Sequence, residues 1–246
     1  MKFSIISVCL IIVTTLNTFK TDQQKYERVR DAYKEKSALI ETLLANHNIS
    51  IDKIHIYLRA FKEEQYLELW AKNVDDKQYQ LLRTYEVCNN SGGPGPKRKQ
   101  GDLQVPEGFY QIDRFNPWSN YHLSLGINYP NKSDRKISSA SKLGGDIFIH
   151  GNCVTIGCLP MTDDKMKEIY ILAVEATNNG QNTIPVSLFP FAMNEKKIKH
   201  ALENYEVNSE TMTLWSELRQ GYEIFNKTKK LPSITFLVSG RHLISE

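Results

Sequence analysis

The chain has 246 residues, of which 41% are hydrophobic and 24% charged. That balance excludes a disordered chain and leaves ample length for a packed core. The net charge is only +3, and its basic runs (Lys97-Arg98-Lys99, Lys196-Lys197, Lys227 to Lys230) are short, so no nucleic-acid partner is expected.

The first 20 residues read as an export signal: Lys2, a nearly all-apolar run from Phe3 to Val13, then polar and small residues to Thr18. The apolar run is short for a membrane span. Cleavage is expected between Thr15 and Lys20, with an uncleaved anchor as the alternative. No stable span is expected once the signal is gone. The protein is therefore expected outside the cytoplasm.

Within residues 21–50, Gln23 to Asn46 has helical spacing (Val29, Ala32, Tyr33, Leu39, Leu43, Leu44) and ends at His47-Asn48-Ile49-Ser50. Ile54 to Phe61 and Tyr66 to Trp70 alternate with period two and form a hairpin around Lys62-Glu63-Glu64-Gln65. Tyr79 to Val87 is a third strand. Ser91 to Pro96, with three glycines and two prolines, is a loop. Lys97, Arg98 and Lys99 on it either meet carboxylates of an acidic peptide or are solvated. Phe109 to Phe115 and Tyr121 to Ile127 are further strands, and His122 on the second points either at a site or at solvent. Asn128 to Ser141 reads as a polar loop, and Ile147 to Ile149 as a central strand. Thr162 is a helix N-cap, followed by the stripe Met166, Ile169, Tyr170, Ala173 and Ala176, and by the stop Asn178-Asn179-Gly180. Pro185 to Phe191 is a strand. The chain is helical from Glu195 until Pro232, and Ile234 to Val238 is a last strand. The whole is a single, mostly antiparallel α+β domain over residues 51–194, with helices flanking it at both ends, the latter over 195–246.

Chemistry concentrates between Gly144 and Asp163. A strand ends on His150-Gly151, and Gly157-Cys158 follows after a short loop. An imidazole beside a thiol is the minimum for a thiolate nucleophile. Gly157 permits close approach of a ligand to the backbone. The amides near Cys158, expected just ahead of a helix, are candidate oxyanion donors. Removing the signal leaves Cys88, Cys153 and Cys158, an odd number, so at least one thiol stays free in an oxidising compartment. Cys153–Cys158 and Cys88–Cys153 are both open pairings, and the first would suit a non-catalytic binding module. No CxxC pair or HExxH run is present, so no metal and no cofactor are expected.

Ile149-His150-Gly151 with Thr155-Ile156-Gly157-Cys158 resembles the catalytic motif of the L,D-transpeptidase (YkuD-type) family, in its YafK-like branch. The likeness extends through Gly95 to Asp102, Val105 to Tyr110, Asn116-Pro117, Tyr121 to Leu125, Asn128 to Asn131, Leu214-Trp215 and Gly221-Tyr222. Many relatives carry a second histidine where this chain has Ile156. The resemblance implies a β-sandwich-like catalytic domain, Cys158 as nucleophile and His150 as base. It also implies backbone donors around Gly157, a Gly151 carbonyl orienting the imidazole, and Thr155 supporting the loop. Lys97, Arg98 and His122 are candidate substrate contacts. The implied partner is a peptidoglycan stem peptide, attacked to give a thioester that passes to an amine in cross-linking or protein tethering. With water as acceptor, the same steps would release wall-linked peptide or a wall-linked lipoprotein. The implied location is the periplasm or cell envelope.

Overall fold

The computed structural model describes residues 18–246. The apolar part of the expected export signal lies outside those residues. Phe19 and Lys20, at its tail, pack on the folded domain: Phe19 meets Phe115 edge-on at 4.9 Å, and the Lys20 ammonium lies 2.7 Å from Glu175. No helix among the described residues is long and apolar enough to cross a membrane.

The predicted first helix is α2 (Glu27–Ala45), and a short helix, α1 (Phe19–Gln23), precedes it. Thr18 caps α1 through the Thr21 amide. On α2, Val29, Ala32, Ile40 and Leu44 face inward, the one-sided apolar stripe expected of a surface helix.

Strands β1 (Ile54–Phe61) and β2 (Tyr66–Asn73) form the predicted hairpin, paired from Ile54↔Asn73 to Phe61↔Tyr66. β3 (Gln80–Glu86), β4 (Gly108–Asn116), β5 (Ser124–Ile127), β6 (Phe148–His150), β7 (Leu159–Pro160) and β8 (Pro185–Phe189) complete one sheet in the order β3-β2-β1-β8-β4-β5-β6-β7. Most pairs are antiparallel, as expected. The exceptions are β1 with β8 and β6 with β7, which makes the sheet mixed. β4 joins the two halves: Gly108 to Gln111 pair with β8, and Ile112 to Asn116 pair with β5.

Helix α4 (Asp163–Asn178) begins at the predicted cap, where the Thr162 side chain accepts from the Lys165 amide. Its stripe Met166, Ile169, Tyr170, Ala173 and Ala176 is fully buried. α4 packs between α2 and the sheet, so even its Glu168 and Glu175 carboxylates are enclosed. Glu168 accepts from Arg83 at 2.7 Å and from Tyr85 at 3.2 Å, and Glu175 accepts from Tyr33 at 2.9 Å. Burial at these sites is offset by hydrogen bonding, as enclosed polar groups require.

The tail forms α5 (Glu195–Asn204), α6 (Ser209–Thr228) and a ribbon of β9 (Ser233–Phe236) with β10 (His242–Ser245). Leu214, Trp215 and Leu218 of α6 pack with Phe61, Phe109, Phe189 and Phe191 of the sheet region.

Four expectations change. Asn128 to Ser141 is not all loop: it contains α3 (Lys132–Ile137), closed by a capping box between Asn131 and Asp134. β5 starts at Ser124 rather than Tyr121, because His122 turns the backbone at φ 66°. Between Cys158 and the helix cap, Leu159 and Pro160 form the short strand β7, which the sequence reading did not include. The last predicted strand pairs with β10, which the sequence reading did not include.

Candidate active site

Sheet register brings the imidazole and the thiol together. β6 pairs with β5 through Ser124↔His150, and with β7 through Ile149↔Leu159 and His150↔Pro160. His150 is therefore the last residue of one strand, and Cys158 stands just before the neighbouring strand. Residues 151–157 are the loop between them. His150 and Cys158 line one cleft of about 510 Å³, together with Lys97, Leu103, Tyr121, Asp146 and Thr155.

The loop is held from several directions. The Thr155 hydroxyl accepts from the Gly157 amide (3.1 Å) and the Cys158 amide (2.9 Å), and donates to the Cys158 carbonyl (2.8 Å). The two amides expected to be free donors are thus turned onto Thr155 in this state. Cys153 is disulfide-bonded to Cys88, whose neighbour Asn89 donates to the Cys153 carbonyl at 2.9 Å. Among the described residues Cys158 is the free cysteine, so the Cys153–Cys158 pairing and the wall-binding module built on it are set aside. Gly157 sits at φ +134°, and a Cβ there would lie 2.9 Å from the Gln104 carbonyl oxygen. The close approach foreseen at Gly157 is made by the protein's own backbone.

His150 is 1% exposed, and its Nδ1 lies 2.6 Å from the Gly151 carbonyl oxygen. A carbonyl only accepts, so Nδ1 carries the proton and Nε2 keeps its lone pair. Burial pulls the imidazole below its ordinary 6.5, while the Gly151 carbonyl acts in the opposite direction. Burial also pushes the Cys158 thiol above its ordinary 9.0, despite a hydrogen bond from the Phe148 amide and the Lys97 charge, which favour the thiolate. At neutral pH the resting pair is a thiol and a neutral imidazole, not an ion pair. The thiol points at the Asp146 carbonyl at 3.7 Å, and no hydrogen bond joins it to His150 among the described residues. Proton transfer then needs a rotation about the Cys158 side chain, a tightening common on ligand binding.

The other candidates separate. Lys97 lines the cleft but is 5% exposed, and its ammonium is already bound to Asp102 (2.6 Å) and the Lys99 carbonyl (3.0 Å). Arg98 is turned away, donating to Glu210 at 2.7 Å with Asp134 at 3.6 Å. His122 lines a neighbouring hollow with Asn152, Asp163 and Asp164 instead of the cleft. Among the described residues no group of three or more His, Cys, Asp and Glu is placed to hold a metal. The sequence reading missed the Phe148 amide and the Asp146 carbonyl, which are backbone groups without any residue signal. It also missed Tyr121, hidden by the apparent strand alternation.

Comparison with known proteins bears on the same segment. The family model described as the YkuD L,D-transpeptidase catalytic domain matches residues 55–187. A protein found in Escherichia coli K12 and O157:H7, named provisionally as the L,D-transpeptidase YafK, is 38% identical over 194 residues, covering 78% of this chain and 74% of that protein. Two solved structures are similar at lower identity. The helical cell shape determining protein Pgp2 of Campylobacter jejuni gives 18% identity and a TM-score of 0.45, over 76% of this chain and 74% of that one. Bd1075 of Bdellovibrio bacteriovorus gives 21% and 0.41, over 72% and 57%. On the extent of the family match and of the YafK likeness, the chain belongs to the YkuD family of L,D-transpeptidase catalytic domains.

Proposed function

We propose that the protein is a cysteine acyltransferase acting on peptidoglycan stem peptides, with Cys158 as nucleophile and His150 as base. The observation that carries this is the tautomer: the Gly151 carbonyl holds the proton on Nδ1, leaving Nε2 as a base in the cleft that the sulfur also lines. Nε2 takes the thiol proton and the sulfur attacks the carbonyl of a diamino-acid residue. The tetrahedral intermediate collapses to a thioester while the imidazolium returns its proton to the departing amine of the distal residue. A second amine then attacks, again losing its proton to Nε2, and the thiol is restored. The Gly157 and Cys158 amides serve the oxyanion when the Thr155 hydroxyl yields them. Residues 51–194 form the catalytic unit in this reading, with 21–50 and 195–246 packed on it.

The Cys88–Cys153 disulfide fits the extracytoplasmic setting of a wall enzyme, and we place the protein in the periplasm or cell envelope after signal removal. Water in place of the amine would make the same site a peptidase that releases wall-linked peptide or lipoprotein. Purified muropeptides, incubated with and without an amine acceptor, test both. Wild type should give an amine adduct or a shortened stem, and Cys158→Ala should give neither. Identical product profiles for the two proteins would end the proposal.

A further inference from the structure

Among the described residues, no carboxylate is bonded to the imidazole to orient it. The causes of the His150 shift are burial and the Gly151 carbonyl alone. Something must still fix the plane of the ring, since one hydrogen bond leaves it free to swing about the Nδ1–carbonyl line. The Tyr121 ring lies across it, with centroids 4.7 Å apart and planes 30° from parallel. We propose that Tyr121 is the positioning residue of this site, stacked on His150 to aim Nε2 at the sulfur, and that the N-terminal helix holds it there. The inference rests on the reading of His150 as base.

The placement is built, not incidental. Tyr121 is followed by His122 at φ 66°, a left-handed conformation uncommon among non-glycine residues. Two clamps impose it. The Arg28 guanidinium of α2 donates to the Ser119 carbonyl (2.6 Å) and the His122 carbonyl (2.8 Å), bracketing the turn. The Ser119 hydroxyl accepts from the Tyr121 amide at 3.0 Å. A third contact comes from the neighbouring Trp118, which meets Tyr26 edge-on at 5.3 Å. On the other side, Gly151 has no side chain where a Cβ would fall 2.8 Å from the Tyr121 carbonyl oxygen, so the turn lies directly on the end of β6. The left-handed residue thus interrupts β5 to deliver an aromatic ring to the imidazole.

The chemistry asks for an aromatic face in particular. A flat ring restrains a flat ring, and its negative face suits the imidazolium that forms when the thiol proton arrives. The hydroxyl is dispensable: among the described residues it has no hydrogen-bond partner, and Tyr121 is 43% exposed.

The test compares wild type with Tyr121→Phe, Tyr121→Leu and Arg28→Met in the full chain. Three readouts are taken: alkylation of Cys158 by iodoacetamide at neutral pH, kcat and KM on a stem peptide, and the His150 ring-nitrogen NMR signals that report its tautomer. Tyr121→Phe should match wild type within about twofold. Tyr121→Leu should lose on the order of tenfold or more in alkylation and in kcat with little change in KM, the scale of a misaimed catalytic group. Its Nδ1–H signature should average between tautomers, while its melting temperature stays close to wild type. Arg28→Met should move the same way by less. Equal alkylation by Tyr121→Leu and wild type, or a Phe variant as slow as the Leu variant, would overturn the proposal. If no protein turns over stem peptide but the alkylation order holds, the stack survives and the acyl-transfer reading falls.

Discussion

The two halves of the sheet are held by different means. In the outer half, β1, β2 and β3 run seven or eight residues and pair along nearly their whole length. In the half that carries the cleft, β5, β6 and β7 have only four, three and two residues. Long backbone ladders run through the first half. The second is fixed by single side chains, two glycines and one disulfide. A substitution in the outer half should therefore cost stability and spare the chemistry of what remains folded. One in the cleft half should cost rate while the fold survives.

The sharpest contrast comes from the dyad. Cys158→Ala should abolish turnover, and His150→Ala should lower it by roughly 10²- to 10⁴-fold, with melting curves near wild type in both. Steady-state assays beside thermal unfolding check this. A His150 variant that unfolds instead of slowing would break the comparison.

On the scaffold side, Lys62 and Glu107 form an enclosed ion pair at 3.0 Å. Glu107 also accepts from the Trp215 indole (2.8 Å) and the Gly95 amide (2.6 Å). Lys62→Met strands the carboxylate and should cost about 3–5 kcal/mol by denaturant titration. Replacing both partners with apolar residues should recover much of that loss.

The disulfide straddles the two halves, tying the end of β3 to the loop before Cys158. Cys88→Ser with Cys153→Ser should cost about 2–4 kcal/mol and also slow alkylation of Cys158. Stability lost without any change in alkylation would assign the bridge to the scaffold alone.

Acid should act on the cleft first. In the proposed mechanism activity needs the neutral imidazole, whose pKa burial holds below 6.5, so turnover should stay flat at neutral pH and fall only as pH drops through that lowered value. In His150→Ala, residual alkylation should climb with pH and still be rising at pH 9, because burial raises the thiol. A rate–pH profile of each protein checks both limbs. A wild-type acid limb centred above 6.5 would contradict the neutral pair. The smallest effect belongs to Ile156→Ser: this residue is 78% exposed, and stability should move by less than about 0.5 kcal/mol.

The same division governs what the sequence disclosed. β1, β2 and α4 were legible because burial on one face imposes a period of two or of 3.6, and Thr162 marked its helix. His150 and Cys158 stood out as candidates because reactive side chains next to glycine are conspicuous, and both line the cleft. α3 was not legible, since a six-residue polar helix shows no stripe, although the pair Asn131 and Asp134 carried its cap. β7 was too short for a period, and parallel pairing of β8 with β1 depends on distant chain. Tyr121 was read into a strand because Tyr121, Leu123 and Leu125 alternate, and nothing in the residue type His122 announces a left-handed turn. The occupied amides of Gly157 and Cys158 depend on where one Thr155 hydroxyl points, which spacing does not specify.

Intact-mass spectrometry after rapid acid quench, with a tetrapeptide stem as acyl donor, addresses the nucleophile itself. The account predicts a transient mass increase equal to the stem acyl group, mapped to the peptide containing Cys158, faint in His150→Ala and absent in Cys158→Ala. Turnover of the stem by wild type with no adduct on that sulfur, or with the adduct on another residue, would contradict it.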